Sequence, residues 1–296
     1  MKKFYTLLLL ALIMNLGVAC SSDDDSGAEN PPVVEEPKTN AEKIEAAEWE
    51  ERKVSDEITY KYAYFTDLFS SNQSVTVFEM DLTSDNLSFA IPHVSSGFIK
   101  TSDAGWSVGA IAAINGSYFD TTNGGSTTFL KKDGDVITQT RGGFTWYREN
   151  AGFGLDQDGN PVIIQKPSAG WASSSYPTLL ASGPMLVMNG EEIEQVDQAF
   201  TQNRHPRTAI GLTDDNRLLA VVVDGRFSEA HGMSTPELAE LMAVLGCTVA
   251  MNLDGGGSST AWLKTRGVVN YPSDNGKFDN EGERGVATAI GFIVEE

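Results

Sequence analysis

The sequence predicts an α+β fold: a large mixed β-sheet domain with a few covering helices. Three features of the 296-residue chain carry that expectation. After Lys53, short β-rich runs are broken repeatedly by turn residues. The continuous apolar runs Leu218–Val223 and Val249–Leu253 have the length and composition of strands buried on both faces. One segment, from Ser234 to Gly246, carries the marks of a packed amphipathic helix.

Taken in order, the chain opens on what reads as a targeting segment. Lys2 and Lys3 form a basic start, Phe4 to Leu16 is an apolar stretch, and Gly17-Val18-Ala19 places small residues before Cys20. Residues 1–19 are therefore expected to be a signal peptide, with Cys20 the lipidated first residue of a lipid-anchored protein at the outer membrane or cell surface. Residues 20–38 hold Ser, Asp, Pro and Glu with few large apolar groups, the composition of a flexible stalk. Residues 39–73 are expected to supply a helix and a lead-in strand, and residues 74–296 the main domain. Thr39 and Glu42 have capping-box spacing, and Ala41 to Lys53 is rich in helix formers.

Ser74–Met80 and Leu87–Ile91 alternate as half-buried strands do. Asp133-Gly134 and Asn189-Gly190 each sit between strand-like arms, the signature of a tight hairpin. Ser234-Thr235-Pro236-Glu237 combines a capping box with a first-turn proline. Leu238, Leu241, Met242 and Leu245 then recur at helical spacing up to Gly246. The strand–helix–strand run over 218–253 predicts one parallel strand pairing. Cys247 lies in apolar surroundings and is the only thiol besides Cys20, so it reads as a small buried hydrophobe.

The net charge is −20, and loss of Lys2 and Lys3 with the leader takes it to −22. Thirteen acidic and four basic residues fall in 21–57, yet the remainder is still acidic. That balance argues against nucleic acid as a partner, because a phosphate backbone needs a basic face. An anionic substrate would have to meet a local cluster of cations.

Five polar segments are expected to follow apolar strands, where α/β sheets assemble sites. They are Asn115-Gly116-Ser117-Tyr118-Phe119-Asp120, Ser182-Gly183-Pro184, Arg204-His205-Pro206-Arg207-Thr208, Asp224-Gly225-Arg226, and Asp254-Gly255-Gly256-Gly257-Ser258-Ser259-Thr260. The last can aim several N–H groups at one anion, but it lacks the lysine of a nucleotide-binding loop. Arg204, Arg207 and Arg226 could fork onto phosphate oxygens. His205, between two of them, should have its pKa pushed down. Hydrolysis at an anomeric carbon usually needs two carboxylates, and Asp224 and Asp254 are the pair on offer.

In that order these segments resemble the phosphodiester glycosidase family, from about Ser74 to Val294 and most specifically from Met233 through Thr260. The resemblance implies a hydrolase that cleaves the glycosidic bond of sugar-1-phosphate diesters of the N-acetylglucosamine type, within a polar surface cavity. Asp254, Asp224 and His205 are the candidate catalytic residues. Asn115, Gly116, Tyr118, Phe119, Ser182, Gly183, Arg204, Arg207, Thr208, Arg226 and the run Gly255, Gly256, Gly257, Ser258, Ser259, Thr260 would bind substrate. Gly285–Gly291 departs from the family pattern, with Arg284 standing where an arginine is usual. The expected partner is a phosphorylated glycan, with membrane contact only through Cys20. No cofactor is expected, and a divalent cation such as calcium or magnesium is left open.

Two other functions fit parts of the sequence. A surface glycan-binding lipoprotein would use Trp106, Trp146, Trp171 and Trp262 for stacking on sugars. A metal-dependent phosphodiesterase attacking phosphorus would gather Asp120, Asp224 and Asp254 as oxygen ligands. No Cys/His spacing suits zinc.

Overall fold

The apolar runs do become strands buried on both faces. In the computed structural model, which describes residues 38–295, the strand Arg217–Val223 lies inside an eight-stranded sheet. Side chains alternate across a strand. Leu218, Ala220 and Val222 therefore enter one core and Leu219, Val221 and Val223 the other. The first core also takes Ile114, Phe153, Leu180, Ile290 and Phe292 from two five-stranded sheets. Phe78 and Phe292 meet edge-on there, with ring centroids 6.3 Å apart. Burying each such ring contributes roughly 1.5–3 kcal/mol. The second core takes Leu238, Leu241 and Met242 from the helix Thr235–Val244 and Ile44 from the helix Asn40–Glu45.

The eight-stranded sheet runs in the order Glu50–Lys53, Ile58–Leu68, Ser71–Asp81, Arg217–Val223, Arg207–Thr213, Cys247–Asn252, Met185–Met188, Glu191–Glu192. One five-stranded sheet contains Ala151–Leu155, Thr178–Ser182 and the hairpin Leu130–Lys132 with Asp135–Thr138. The other contains Ala112–Asn115, Ala261–Leu263 and Ala289–Val294. Both expected hairpins form, with positive φ at Asp133 (52°), Gly134 (90°), Asn189 (55°) and Gly190 (78°). Positive φ at both central residues matches the right-handed twist of the flanking strands. Ser234 caps its helix as expected, reciprocally with Glu237.

Three expectations need correction. Every pairing between the named strands is antiparallel, so the sheets are not mixed. Arg217–Val223 and Cys247–Asn252 do run parallel, but Arg207–Thr213 is inserted between them and pairs antiparallel with both. The first helix stops at Glu45 rather than running to Lys53. Glu50–Lys53 instead pairs with Thr59–Tyr62, where sheet hydrogen bonds override a helix-forming composition. The division expected before Ser74 falls inside the strand Ser71–Asp81. The leader, Cys20 and most of the stalk lie outside the described residues.

Cys247 is buried as expected, and burial pushes its thiol up to about 12. A Cβ at Gly211 would lie 2.5 Å from its sulfur, so the two positions fit only as a pair.

Candidate active site

The antiparallel register gathers the expected segments at one edge. Arg207 pairs with Val223, Ala209 with Asn252 and Ala289 with Asn115. Arg207 therefore begins its strand rather than following one, yet stands beside the ends of its neighbours. In the other five-stranded sheet Ser182 pairs with Ala151, which brings Arg148, three residues before Ala151, to the end where Ser182 lies.

Asp254 leaves Cys247–Asn252 at that edge and is held by backbone on both sides. Its N–H donates to the Gly116 carbonyl at 3.0 Å. Its own carbonyl accepts from Asn115 Nδ2 at 2.7 Å. Asn115 is fully buried and its Oδ1 also accepts from Thr208 Oγ1 at 2.7 Å and from the Thr260 N–H at 3.1 Å. This one amide joins three strand ends and fixes where the carboxylate starts. Gly257 is required by packing, because a Cβ there would lie 2.6 Å from both Arg284 Nη2 and Asp274 Oδ1.

The Asp254 carboxyl opens on a cavity of about 570 Å³. Burial pushes its pKa up to about 6. The Ser258 hydroxyl, the Gly255 N–H and the charges of Arg148 and Arg284 pull it back. Ser258 Oγ lies beside the carboxyl without completing a hydrogen bond. Tyr118, Phe119, Asp120, Arg141, Phe144, Arg148, Gly255 and Arg284 share the lining. An adjoining hollow of about 520 Å³ is lined by Phe98, Phe119, Thr121, Asp274 and Arg284.

Three arginines thus border the cavity, and they differ in what they touch. Arg141 reaches Asp120 at 3.5 Å. Arg284 is paired with Asp274. Arg148 has no acid partner among the described residues. Its guanidinium carbon lies 4.2, 4.5 and 5.6 Å from the ring centroids of Tyr118, Phe200 and Phe144. Asp120 accepts the Thr122 and Asn123 N–H groups, which hold its carboxyl below the usual range.

Of the residues expected at the site, Tyr118, Phe119, Asp254 and Gly255 line the cavity. Asn115, Gly116, Ser182, Gly183 and Thr208 stand behind it as scaffold. The Gly183 carbonyl accepts from Tyr118 Oη at 2.6 Å and from Asn252 Nδ2 at 2.9 Å. A Cβ at Gly116 would lie 2.4 Å from Thr288 Oγ1. The glycine run is less open to an anion than expected. Gly256, Ser258 and Ser259 donate their N–H groups to Pro206, Gly255 and Gly256, and the Gly255 N–H is directed at the Asp254 carboxyl, leaving that of Gly257. Ser258, Ser259 and Thr260 are buried, each with an unpartnered hydroxyl.

The remaining expected residues lie outside that cavity lining. Asp224 is 1 % exposed and does not reach the cavity. Its oxygens accept from Ser74 Oγ at 2.6 Å, Asn270 Nδ2 at 2.9 Å and the Tyr271 N–H at 2.8 Å. Burial raises its pKa to about 6 against those bonds. Arg204 is taken by Glu237, with Nε to Oε1 at 3.0 Å. Arg207 is also 1 % exposed and donates to the carbonyls of Met233, Phe200 and Asn203. Burial lowers it to about 10. Arg226 is exposed, with φ of 72°, and its guanidinium packs against Gly256 outside the cavity lining. The His205 pKa is lowered as expected, but burial leads and the charges of Arg207 and Arg226 follow; the residue does not line the cavity.

Sequence reasoning missed Arg141, Phe144 and Arg148, which enter from the loop before Ala151. The signal was present: Arg141-Gly142-Gly143-Phe144-Thr145-Trp146-Tyr147-Arg148 concentrates arginine and aromatic side chains in an acidic chain. The trio Asp120, Asp224 and Asp254 does not assemble. Among the described residues no group of three His, Cys, Asp or Glu side chains is placed to hold a metal. Of the tryptophans, Trp171 and Trp262 are core residues, whereas Trp106 and Trp146 are exposed.

The domain thus brings a strand-end carboxylate and three arginines to one cavity. Residues 108–293 match the phosphodiester glycosidase family, and the chain belongs to that family. It is 27% identical over 183 residues to mouse N-acetylglucosamine-1-phosphodiester alpha-N-acetylglucosaminidase, an alignment covering 56% of this chain and 34% of the mouse protein. The cattle protein of the same name is 28% identical over 183 residues, covering 56% of this chain and 33% of its own length. The chain thus spans about a third of the length of these relatives. In fold it is similar to the catalytic domain of the zebrafish enzyme of that name, with a TM-score of 0.64 at 22% identity, covering 84% of this chain and 88% of that one. A hypothetical protein from Synechocystis is similar at a TM-score of 0.64 and 15% identity, over 84% of this chain and 64% of that one.

Proposed function

We propose that the protein hydrolyses the glycosidic bond of sugar-1-phosphate diesters of the N-acetylglucosamine type, on a phosphorylated glycan. The observation that carries this is Asp254, a carboxylate on a rigid strand end facing a cavity bordered by three arginines. Water attacks the anomeric carbon, the bond from that carbon to the phosphate oxygen breaks, and the phosphate leaves as a monoester anion. Asp254, ionised, takes the proton from the attacking water or stabilises the positive charge that develops on the sugar. The leaving phosphate needs little protonation once arginines screen its charge. This accommodates the withdrawal of Asp224 from the cavity, because a second carboxylic acid is needed mainly for a poor leaving group.

Hydrolysis in oxygen-18 water tests the reading. Label recovered on the sugar supports it, and label on phosphate would mean attack at phosphorus. The same proposal places the enzyme on a lipid tether at Cys20; Cys20→Ser should move it from the membrane to the soluble fraction. Among the described residues no helix is long and apolar enough to cross a membrane.

A further inference from the structure

Arg148 shows an unusual combination of contacts. Among the described residues its side chain forms no ion pair, and its Nε is sealed from solvent without an acceptor. Its guanidinium instead packs against Tyr118, Phe200 and Phe144. A sealed donor without a partner costs stability, and a native structure that carries one calls for an explanation. Aromatic packing shields the charge from water, which strengthens its attraction for an anion. Only Nε is sealed, so the two terminal nitrogens remain to meet a ligand in the cavity that Arg148 shares with Asp254.

The neighbouring arginines are less available. Arg141 already reaches Asp120, and Arg284 already holds Asp274. Arg207, whose guanidinium carbon lies 4.9 Å from the Phe200 ring centroid, spends its donors on backbone carbonyls. Arg148 and Asp254 are near enough for the cation to pull down the carboxyl pKa, yet they form no salt bridge. A gap of that kind suits a substrate whose negative group lies against the arginine and whose reacting carbon lies against the carboxylate.

We propose that Arg148 is the residue that grips the substrate's phosphate, binding its non-bridging oxygens through the terminal guanidinium nitrogens. This rests on the sugar-phosphodiester reading and deepens it by naming the phosphate's partner. It assigns the role to a residue on the loop before Ala151 rather than to Arg204, Arg207 or Arg226. The fork and the fixed aromatic bed make the site one for arginine, with lysine a partial substitute.

The test uses Arg148→Gln and Arg148→Lys in the full chain, with melting temperature confirming that each folds. Binding of inorganic phosphate is followed by phosphorus NMR, and kcat and KM are measured on a sugar-1-phosphate diester. Arg148→Gln should weaken phosphate binding at least tenfold and lower kcat/KM at least a hundredfold, with Arg148→Lys between it and the parent. Phosphate binding unchanged in Arg148→Gln, or absent from the parent, would overturn the assignment. If the parent cleaves no sugar phosphodiester but binds phosphate in an Arg148-dependent way, the activity reading fails and the phosphate site stands. If the parent cleaves the diester and Arg148→Gln does so equally well, the activity stands and this inference falls.

Discussion

Asp224 and Asp254 begin as near equals. Each follows a buried strand, each precedes glycine, and burial pushes each carboxyl up to about 6. They part in what meets their oxygens. Asp224 is enclosed by Ser74, Asn270 and the Tyr271 N–H, so its donors all come from the protein. Asp254 has its backbone pinned by Asn115 and Gly116 while its carboxyl faces the cavity. The same perturbed pKa therefore accompanies two different jobs. A raised pKa marks burial, and the unfilled side of the carboxyl marks a site.

Matched substitutions should separate the two most widely in activity. Asp254→Asn is expected to lower kcat/KM on a sugar-1-phosphate diester by about a thousandfold or more, ~4 kcal/mol of barrier. Asp224→Asn, which can keep most of the same hydrogen bonds, should stay within about tenfold of the parent, ~1.4 kcal/mol. Equal losses from both would erase the distinction drawn between them.

Stability should rank the buried polar residues in a different order. Arg207→Ala strands three backbone carbonyls and is expected to cost about 2–5 kcal/mol, read by chemical denaturation. Asp224→Ala strips the acceptor from three donors and should cost about 1–3 kcal/mol. Asp254→Ala should change stability least of the three. An Arg207→Ala protein as stable as the parent but with a raised KM would return Arg207 to the substrate.

The acid limb of activity sharpens the role of Asp254. Ionised Asp254 is the working form, so kcat/KM should rise with pH through about 6. Arg148 holds that pKa down, so Arg148→Gln should move the limb to higher pH. A limb that stays in place would mean the titrating group is not Asp254.

The smallest effect concerns stability against pH. A carboxyl whose folded pKa is raised from 3.8 to about 6 favours the folded state most at low pH, and that contribution is lost as pH rises through about 6. Asparagine mimics the protonated acid. Asp254→Asn should therefore melt slightly above the parent at pH 7 and level with it near pH 4. A variant less stable than the parent at pH 7 would give Asp254 a structural role in its own loop.

Much of this architecture was legible in local chemistry. Asp133-Gly134 and Asn189-Gly190 made their hairpins because positive φ at both positions suits the strand twist. Ser234 and Glu237 capped their helix because both partners lie within one turn. The site was legible only in part. Tyr118, Phe119, Asp254 and Gly255 line the cavity, whereas Asp224 and Arg207 turned inward and Arg204 paired with Glu237. No local rule distinguishes an arginine that will meet a carbonyl from one that will meet a ligand.

What the sequence determined by itself is the central strands, two hairpin turns, two helix caps and the family to which residues 108–293 belong. Those rest on spacing and on interactions between residues a few positions apart. Tertiary structure decided the rest through contacts across long stretches of chain. Inserting Arg207–Thr213 between Arg217–Val223 and Cys247–Asn252 removed the expected parallel pairing. Pairing Ala151 with Ser182 carried Arg148 to the cavity from a loop that had shown no strand-end motif. Whether a charge is enclosed or left facing open space depends on which distant strands become its neighbours, and that is settled only when the sheets pack.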